Sequence, residues 1–400
     1  LAGGHVANSA ELFAAVTALN RANGAVGTTI RPDQAFLGYE GIAPEAQRRA
    51  IGDRMNSGAV PLLMVRGANP AYTMPRSTGF AAAMKKVPFK VSFASIMNDT
   101  SEMCDLILPD HHSLEQWGDA EPVKGTLSLQ QPTMDPVFDS LATSDVLIRI
   151  AKGDPATAAK YPEPDYRTWL IARVPGGEEG MRAGLPTAIV AGSALARTAP
   201  RPALPAIPAA PALASTSGDM FLFIYHHPVL GDGRGANKPW LQELPDPVTK
   251  LTWQTVVEMH PLTAAKMGLD NSDLVTVTTS AGSLTAPVYL YLGIRQDTIA
   301  IATGRGHINA GRYAKAGENA YDLVPLAENA AGGIALVSTR AKVVKAGGSM
   351  LLATTEGSAR QHLRDIARAI PVGELGAGAE KHKEPEEEHL PGDASHEFLP

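Results

Sequence analysis

The chain has 400 residues, 44% of them hydrophobic, with a formal net charge of -6 and a pI near 6.0. That length suffices for two hydrophobic cores and points to two or three domains, whereas the acidic balance excludes a nucleic-acid partner, whose phosphates demand a basic face. No apolar run approaches the roughly 18 residues of a membrane span, and the single cysteine, Cys104, excludes an intrachain disulfide and any four-cysteine iron–sulfur or zinc set within these residues.

The sequence opens at Leu1 without an initiator Met, a signal peptide or an N-terminal cap, and reads as an excerpt that starts inside a fold. Asn8, followed three places on by Glu11, resembles a capping box ahead of Leu12, Phe13, Val16 and Leu19 at helical spacing. Pro44 opens a second helix through Ile51 to Met55, and Val60–Val65 is an apolar run of strand length. A helix near Ser77, with Phe80 and Met84 inward, precedes a strand at Phe89–Phe93. Strand and helix alternate, which predicts a parallel sheet covered on both faces, closed by helices at Thr143–Lys152 and Tyr166–Ile171.

The stretch Asn98–Asp119 organises this half. A polar turn, Asn98-Asp99-Thr100-Ser101-Glu102, precedes the apolar run Leu106-Ile107-Leu108, which Pro109 ends. A short run bounded by turn residues suits a strand of a parallel sheet, and open α/β sheets place ligands beyond the carboxyl ends of their strands. Cys104, just before that run, reads as a small core residue.

From about Ala191 to Gly218 the composition turns to Ala, Pro and Ser, which favours an extended connector. Beyond it Phe221–Tyr225, Val256–Met259, Leu274–Thr279 and Ala286–Leu290 are strand-like, with a tight turn at Ala281-Gly282. One short helix, Pro261–Met267, ends at Gly268 as a glycine C-cap would. The last residues, rich in Glu, Pro and Gly around an EPEEE run, read as a solvated or partner-wrapping tail.

Several of these pieces carry a resemblance. The turn Gly67-Ala68-Asn69-Pro70, the polar turn at Asn98, the run ending Leu108-Pro109 and Glu115 shortly before Trp117-Gly118 resemble the third domain of the molybdopterin oxidoreductases. The segment MHPLTAAKMGLDNSDLVTV is similar to the signature of that family's fourth domain, with His260 at the usual Asn and Ser272 at the usual Gly. LILPDHHSLEQWGD with GRGHINAGRYA far downstream most resembles the large iron–sulfur subunit of alternative complex III, a bacterial quinol-oxidising membrane complex. The fold this implies is α/β: a Rossmann-like parallel-sheet domain over 1–190, a linker over 191–218 and a double-psi β-barrel over 219–345. A connecting helix over 346–372 and an acidic tail over 373–400 would follow.

The resemblance also implies a cleft between the two domains. Guanosine-side contacts of a pterin dinucleotide would fall at Gly67, Ala68, Asn69, Asn98, Asp99 and Thr100. Gly118 would join the cleft, and pterin-side contacts would fall at Tyr225–Gly235, including His226, and at Gly304, Arg305, Gly306 and His307. Glycines permit close backbone approach, and amides with an Arg suit pyrophosphate. One departure counts against the cofactor: Asp119 and Glu121 would stand where phosphates need donors, and the expected Arg is missing. Like charges about 4 Å apart cost roughly 4 kcal/mol at an effective dielectric near 20. The adjacent pairs His111-His112 and His226-His227 do not converge on one ion as i, i+4 helical pairs can, so hydrogen bonding is the better reading of them.

Two functions follow from the resemblance. In the first, this segment is a pterin-fold scaffold without catalytic residues, metal or molybdopterin. Iron–sulfur clusters would then lie in the flanking part of the subunit, and membrane quinol-oxidising and cytochrome subunits would be its partners at the periplasmic face of the inner membrane. In the second, it is the C-terminal half of an active molybdenum bis-pterin guanine dinucleotide reductase of the polysulfide or thiosulfate type. On either, the 191–218 connector is the weakest point of the chain, and limited proteolysis of the subunit in its complex is expected to cut there first. Early cleavage inside Leu62–Leu108 would refute the domain division.

Overall fold

The computed structural model describes residues 6, 8–31, 43–123, 125–190, 218–327, 333–337 and 339–355. The expected linker, Gly218 apart, and the expected tail lie outside the described residues. Helix α1 spans Ser9–Ala22, but Asn8 makes no side-chain cap. Phe13 and Leu19 remain 62% and 60% exposed, so the apolar face expected to turn inward is open among the described residues.

Helix α2 (Glu45–Asn56) starts after Pro44, as expected, and leads into strand β1 (Leu62–Val65). The short helices α3 (Pro70–Thr73) and α4 (Phe80–Met84) precede strand β2 (Phe89–Ser92), and strand β3 (Leu106–Ile107) completes a three-stranded parallel sheet in the order β1-β2-β3. Leu62 stands opposite Phe89 and Val91 opposite Leu106. Met55, Met84 and Val87 pack with Leu63, Met103 and Cys104 as one cluster. Val91 and Phe93 pack against Val146 of helix α5 (Thr143–Lys152). Coverage of both faces was expected, but Leu62, Met64, Phe89 and Leu106 are 38–45% exposed. Among the described residues the buried packing of α5 on that side reaches Val91 of β2 and Phe93 just beyond it, and leaves those four side chains open.

A hairpin that the sequence did not announce follows, strand β4 (Gly118–Val123) antiparallel to strand β5 (Thr126–Gln130). After the short helix α6 (Pro155–Ala158), helices α7 (Tyr166–Arg173) and α8 (Gly177–Gly184) build a satellite core with it from Leu129, Leu170, Val174 and Met181.

The second half is a closed six-stranded barrel of mixed direction. Strand β6 (Met220–Tyr225) and the short helix α9 (Pro239–Glu243) come first, then strand β7 (Val257–Met259), helix α10 (Pro261–Lys266), and strands β8 (Asp273–Thr278) and β9 (Ser283–Leu290). Strands β10 (Thr298–Ala302) and β11 (Thr339–Ser349), not anticipated from sequence, close it. The order is β10-β6-β11-β8-β9-β7, with β6–β10 and β7–β9 parallel. Leu222, Ile224, Val257, Met259, Val275, Val277, Val288, Ile299 and Ile301 fill the interior, each at most 2% exposed. Where a connecting helix was expected from 346, β11 instead continues to Ser349, held by its ladder to β8, in which Ser349 lies opposite Asp273. The stretch 356–372 lies outside the described residues.

Both departures from the barrel signature have a local explanation. His260 caps α10 as an Asn would, its ring Nδ1 accepting from Leu262 N–H at 3.1 Å. Ser272 retains the glycine conformation, with φ of 74°. A non-glycine residue in the left-handed region costs about 1–2 kcal/mol, partly offset by glycine's greater unfolded-state entropy. Ser272→Gly is therefore expected to raise stability by about 0.5–1 kcal/mol in urea unfolding, whereas Ser272→Val should lower it.

Candidate functional site

Beyond the carboxyl ends of β1, β2 and β3 opens a cleft of about 660 Å³, shared with barrel residues Pro228–Gly235, Lys238 and His307. Gly67, Ala68, Asn69 and Asn98 line it, as does His307. Asp99, Thr100, Gly118, His226, Gly304 and Arg305 do not. The two halves of the chain thus do bring their loops together, but only part of the expected set faces the space between them.

The reason lies in where the polar groups are spent. Asp99 is 6% exposed, and its carboxylate accepts four hydrogen bonds. Oδ2 takes Asn69 Nδ2 at 3.0 Å and His307 Nδ1 at 2.6 Å, and Oδ1 takes Ile308 N–H at 2.8 Å and Asn309 N–H at 2.9 Å. Asn69 Oδ1 in turn accepts from Thr100 N–H and Oγ1 at 3.0 and 2.8 Å, and Asn98 Oδ1 accepts from Thr100 and Ser101 N–H. Burial would raise the Asp99 pKa, but the bonds from His307, Asn309 and Asn69 together outweigh it and hold the carboxyl well below its usual range.

Tyr72 completes the joint. Its ring stacks on His307 at 3.6 Å, its hydroxyl donates to Arg305 O at 2.8 Å, and Gly304 N–H donates to that hydroxyl at 3.0 Å. Gly233 lies so close that a Cβ there would stand 2.7 Å from both His307 Nε2 and Tyr72 Cε1, so no larger residue fits. Arg76 adds an ion pair to Asp322 at 2.8 Å.

Arg305 turns away from the cleft and is 2% exposed, its Nη1 donating to Gln254 O at 2.6 Å. Burial lowers its pKa to about 10, which leaves it charged at neutral pH. Burial, and then the Arg305 charge, push His227 down to about 4. Its neutral ring caps the turn, Nδ1 accepting from Val229 and Leu230 N–H. His226 instead meets the Tyr321 hydroxyl at 3.4 Å. His111 pairs with Ser140 at 2.7 Å, and His112 caps Ser113–Glu115. Among the described residues no three His, Cys, Asp or Glu side chains form a group that could hold a metal ion.

The expected repulsion at Asp119 and Glu121 is not seen in the cleft. Asp119 accepts from the Tyr166 hydroxyl and Glu121 from Gly125 N–H, and neither residue lines the space. The β4–β5 hairpin, not visible in the sequence, carries both away. Three cations face the cleft: Arg66 is bound to Asp110 and Arg234 to Asp232, each at 2.8 Å, whereas Lys238 has no ion pair among the described residues.

Comparison with known proteins agrees with this architecture. Residues 240–337 match the molydopterin dinucleotide binding domain. The solved structure of acetylene hydratase from Pelobacter acetylenicus shares the fold, with a TM-score of 0.56 and 16% identity over 76% of this chain and 46% of that one. Among curated sequences, the chain is 25% identical over 292 residues to the menaquinone reductase, molybdopterin-binding-like subunit of Nitratidesulfovibrio vulgaris, covering 66% of this chain and 38% of the relative. It is 36% identical over 86 residues to the arsenate respiratory reductase molybdopterin-containing subunit of Shewanella sp. strain ANA-3, covering 21% of this chain and 10% of that one. The chain therefore spans well under half the length of these curated relatives.

Removing the Asp99 charge tests the joint. Asp99→Asn is expected to destabilise the chain by about 2–4 kcal/mol at pH 7, since it breaks charged hydrogen bonds in a buried site. Because the folded pKa is depressed, this contribution is present above the unfolded value near 4 and is lost as pH falls toward the folded one. The stability gap between wild type and variant should hence narrow below about pH 4 in urea titrations.

Proposed function

We propose that this chain is the pterin-fold scaffold of an iron–sulfur electron-transfer subunit in a membrane quinol or quinone oxidoreductase complex, of the alternative complex III type, and that its cleft is kept without bound molybdopterin. The observation that carries this reading is the commitment of Asn69, Asp99 and Thr100 to one another and to the barrel. A guanosine at that end would meet side chains whose acceptors are already filled, and prising them free would strand a buried carboxylate. The residues present do not fit the dinucleotide in the way the resemblance implies, so no chemical step is assigned to it.

The similarity to a molybdopterin-binding-like subunit of a menaquinone reductase supports the same reading. On it, the clusters lie in flanking parts of the subunit, because Cys104 alone cannot hold one. Membrane quinol-reacting subunits and cytochrome subunits are the partners, at the periplasmic face of the membrane. Among the described residues no helix is long and apolar enough to cross a membrane.

An active molybdenum reductase is the alternative. Bare backbone at Gly67 and Gly231, with nothing within 4 Å of where a Cβ would stand, favours it. So does the local 36% identity to an arsenate reductase subunit. Elemental mass spectrometry of the intact purified complex decides between them, combined with an assay for oxidised-pterin fluorescence after acid release. The scaffold reading expects substoichiometric molybdenum, tungsten and pterin with quinone-linked electron transfer retained. Near-stoichiometric metal and pterin would overturn it in favour of the reductase.

A further inference from the structure

A second cavity, of about 370 Å³, opens on the outer face of the barrel and shares only Pro228 with the cleft among its lining residues. Strand alternation builds it. Leu222 and Ile224 of β6 are buried in the core, so Phe223 and Tyr225 point outward. On the neighbouring strands Ala300 stands opposite Phe223 and Glu258 opposite Ala300. Tyr291 and Val248 add further apolar wall, and Asp246 brings a second carboxylate beside Glu258.

Both carboxylates are 6% exposed, and each is only half satisfied. Asp246 Oδ1 accepts from Val248 and Thr249 N–H at 2.9 and 2.7 Å, and Glu258 Oε1 accepts from the Tyr225 hydroxyl. Among the described residues nothing donates to Asp246 Oδ2 or Glu258 Oε2, and neither atom is sealed from the surrounding space.

Behind them lies a cavity of about 20 Å³, walled by the same Tyr225, Asp246, Thr249 and Glu258 and by Arg305. A space of roughly that size holds one water. Arg305 is 2% exposed, and its Nε and Nη2 have no partner among the described residues. No direct ion pair joins it to either acid among the described residues, so a single guanidinium stands behind two carboxylates. Arg295, at the mouth, is already bound to Asp297 at 2.8 Å. The open acid oxygens thus face an aromatic pocket with no cation among the described residues paired to them, and a buried polar group left unmet is costly. Burial, together with the Asp246 charge, pushes the Glu258 pKa up against the Tyr225 hydrogen bond, as expected of an acid without a counter-ion.

We propose that this cavity is a second ligand site, which takes a small organic cation: a flat or branched apolar body carrying one amidinium or ammonium group. The nitrogen donates to the open oxygens of Asp246 and Glu258, while Phe223, Tyr225 and Tyr291 cover the body and attract the charge through their ring faces. At about 370 Å³ the space is at the small end of ligand pockets, which suits a compact molecule.

The test is calorimetric titration of the purified whole subunit that carries these residues with benzamidine, against benzyl alcohol as a neutral ligand of similar size. Benzamidine is expected to bind about tenfold more tightly than the alcohol, the scale of a charge-assisted hydrogen bond. Glu258→Gln should weaken benzamidine about tenfold and leave the alcohol unchanged. Phe223→Ala, at a wall residue 46% exposed and hence safe for folding, should weaken benzamidine about threefold. Arg234→Ala, in the cleft, should change neither. Equal affinities for the two ligands, no saturable benzamidine binding at millimolar concentration, indifference to Phe223→Ala, or sensitivity to Arg234→Ala would each overturn the proposal.

Discussion

The buried carboxylate of Asp99 is the constraint on which the two halves of this protein depend. A charge at 6% exposure survives only if its lone pairs are met, and here two side chains and two backbone amides meet them. Three of those donors come from the barrel, 208–210 residues away in sequence. The sheet's second loop is thereby fixed to the barrel's Gly304–Asn309 loop, and Tyr72 stacks against the same histidine that holds the acid. Gly233 has its place because the stacked pair fills the space a side chain would need.

That joint gives the cleft its shape and, on the scaffold reading, removes its capacity for a nucleotide base. The two effects share one cause, since polar atoms that hold the halves together are not also free for a ligand. Toward the cleft stand glycine backbone at Gly67 and Gly231, Lys238, and two arginines paired with neighbouring aspartates. The fold shared with acetylene hydratase, at a TM-score of 0.56, does not by itself assign a role to the cleft.

The barrel's outer wall is chemically unlike the cleft. Its acids are short of donors, whereas the cleft's buried acid is fully supplied. Arg305 links the two by position: its backbone carbonyl and the neighbouring Gly304 amide meet Tyr72 at the joint, while its guanidinium stands behind Asp246 and Glu258. One residue's backbone and side chain therefore serve opposite sides of the barrel wall.

By itself the sequence determined the elements whose cues are local. Apolar runs cut by turn residues marked β1, β2 and β3, and polar residues after each strand marked the edge where the cleft opens. Pro44 and Gly268 marked helix ends, and the signature around His260 marked the barrel, whose departures proved to be a substitute cap and a strained serine. Tertiary structure decided the rest. Arg305, set between two glycines, reads as a donor to the cleft, but the strand exit turns it to the opposite side, and only the closed barrel fixes that direction. Asp119 and Glu121 read as cleft residues because they follow Trp117-Gly118, and a hairpin carries them away. Asp99 reads as a free polar turn residue because nothing within the turn shows that His307 will meet it. Periodicity and turn chemistry act over a few residues, whereas the partner of a buried charge is chosen by which surfaces close on each other, and that is settled only when the whole chain is folded.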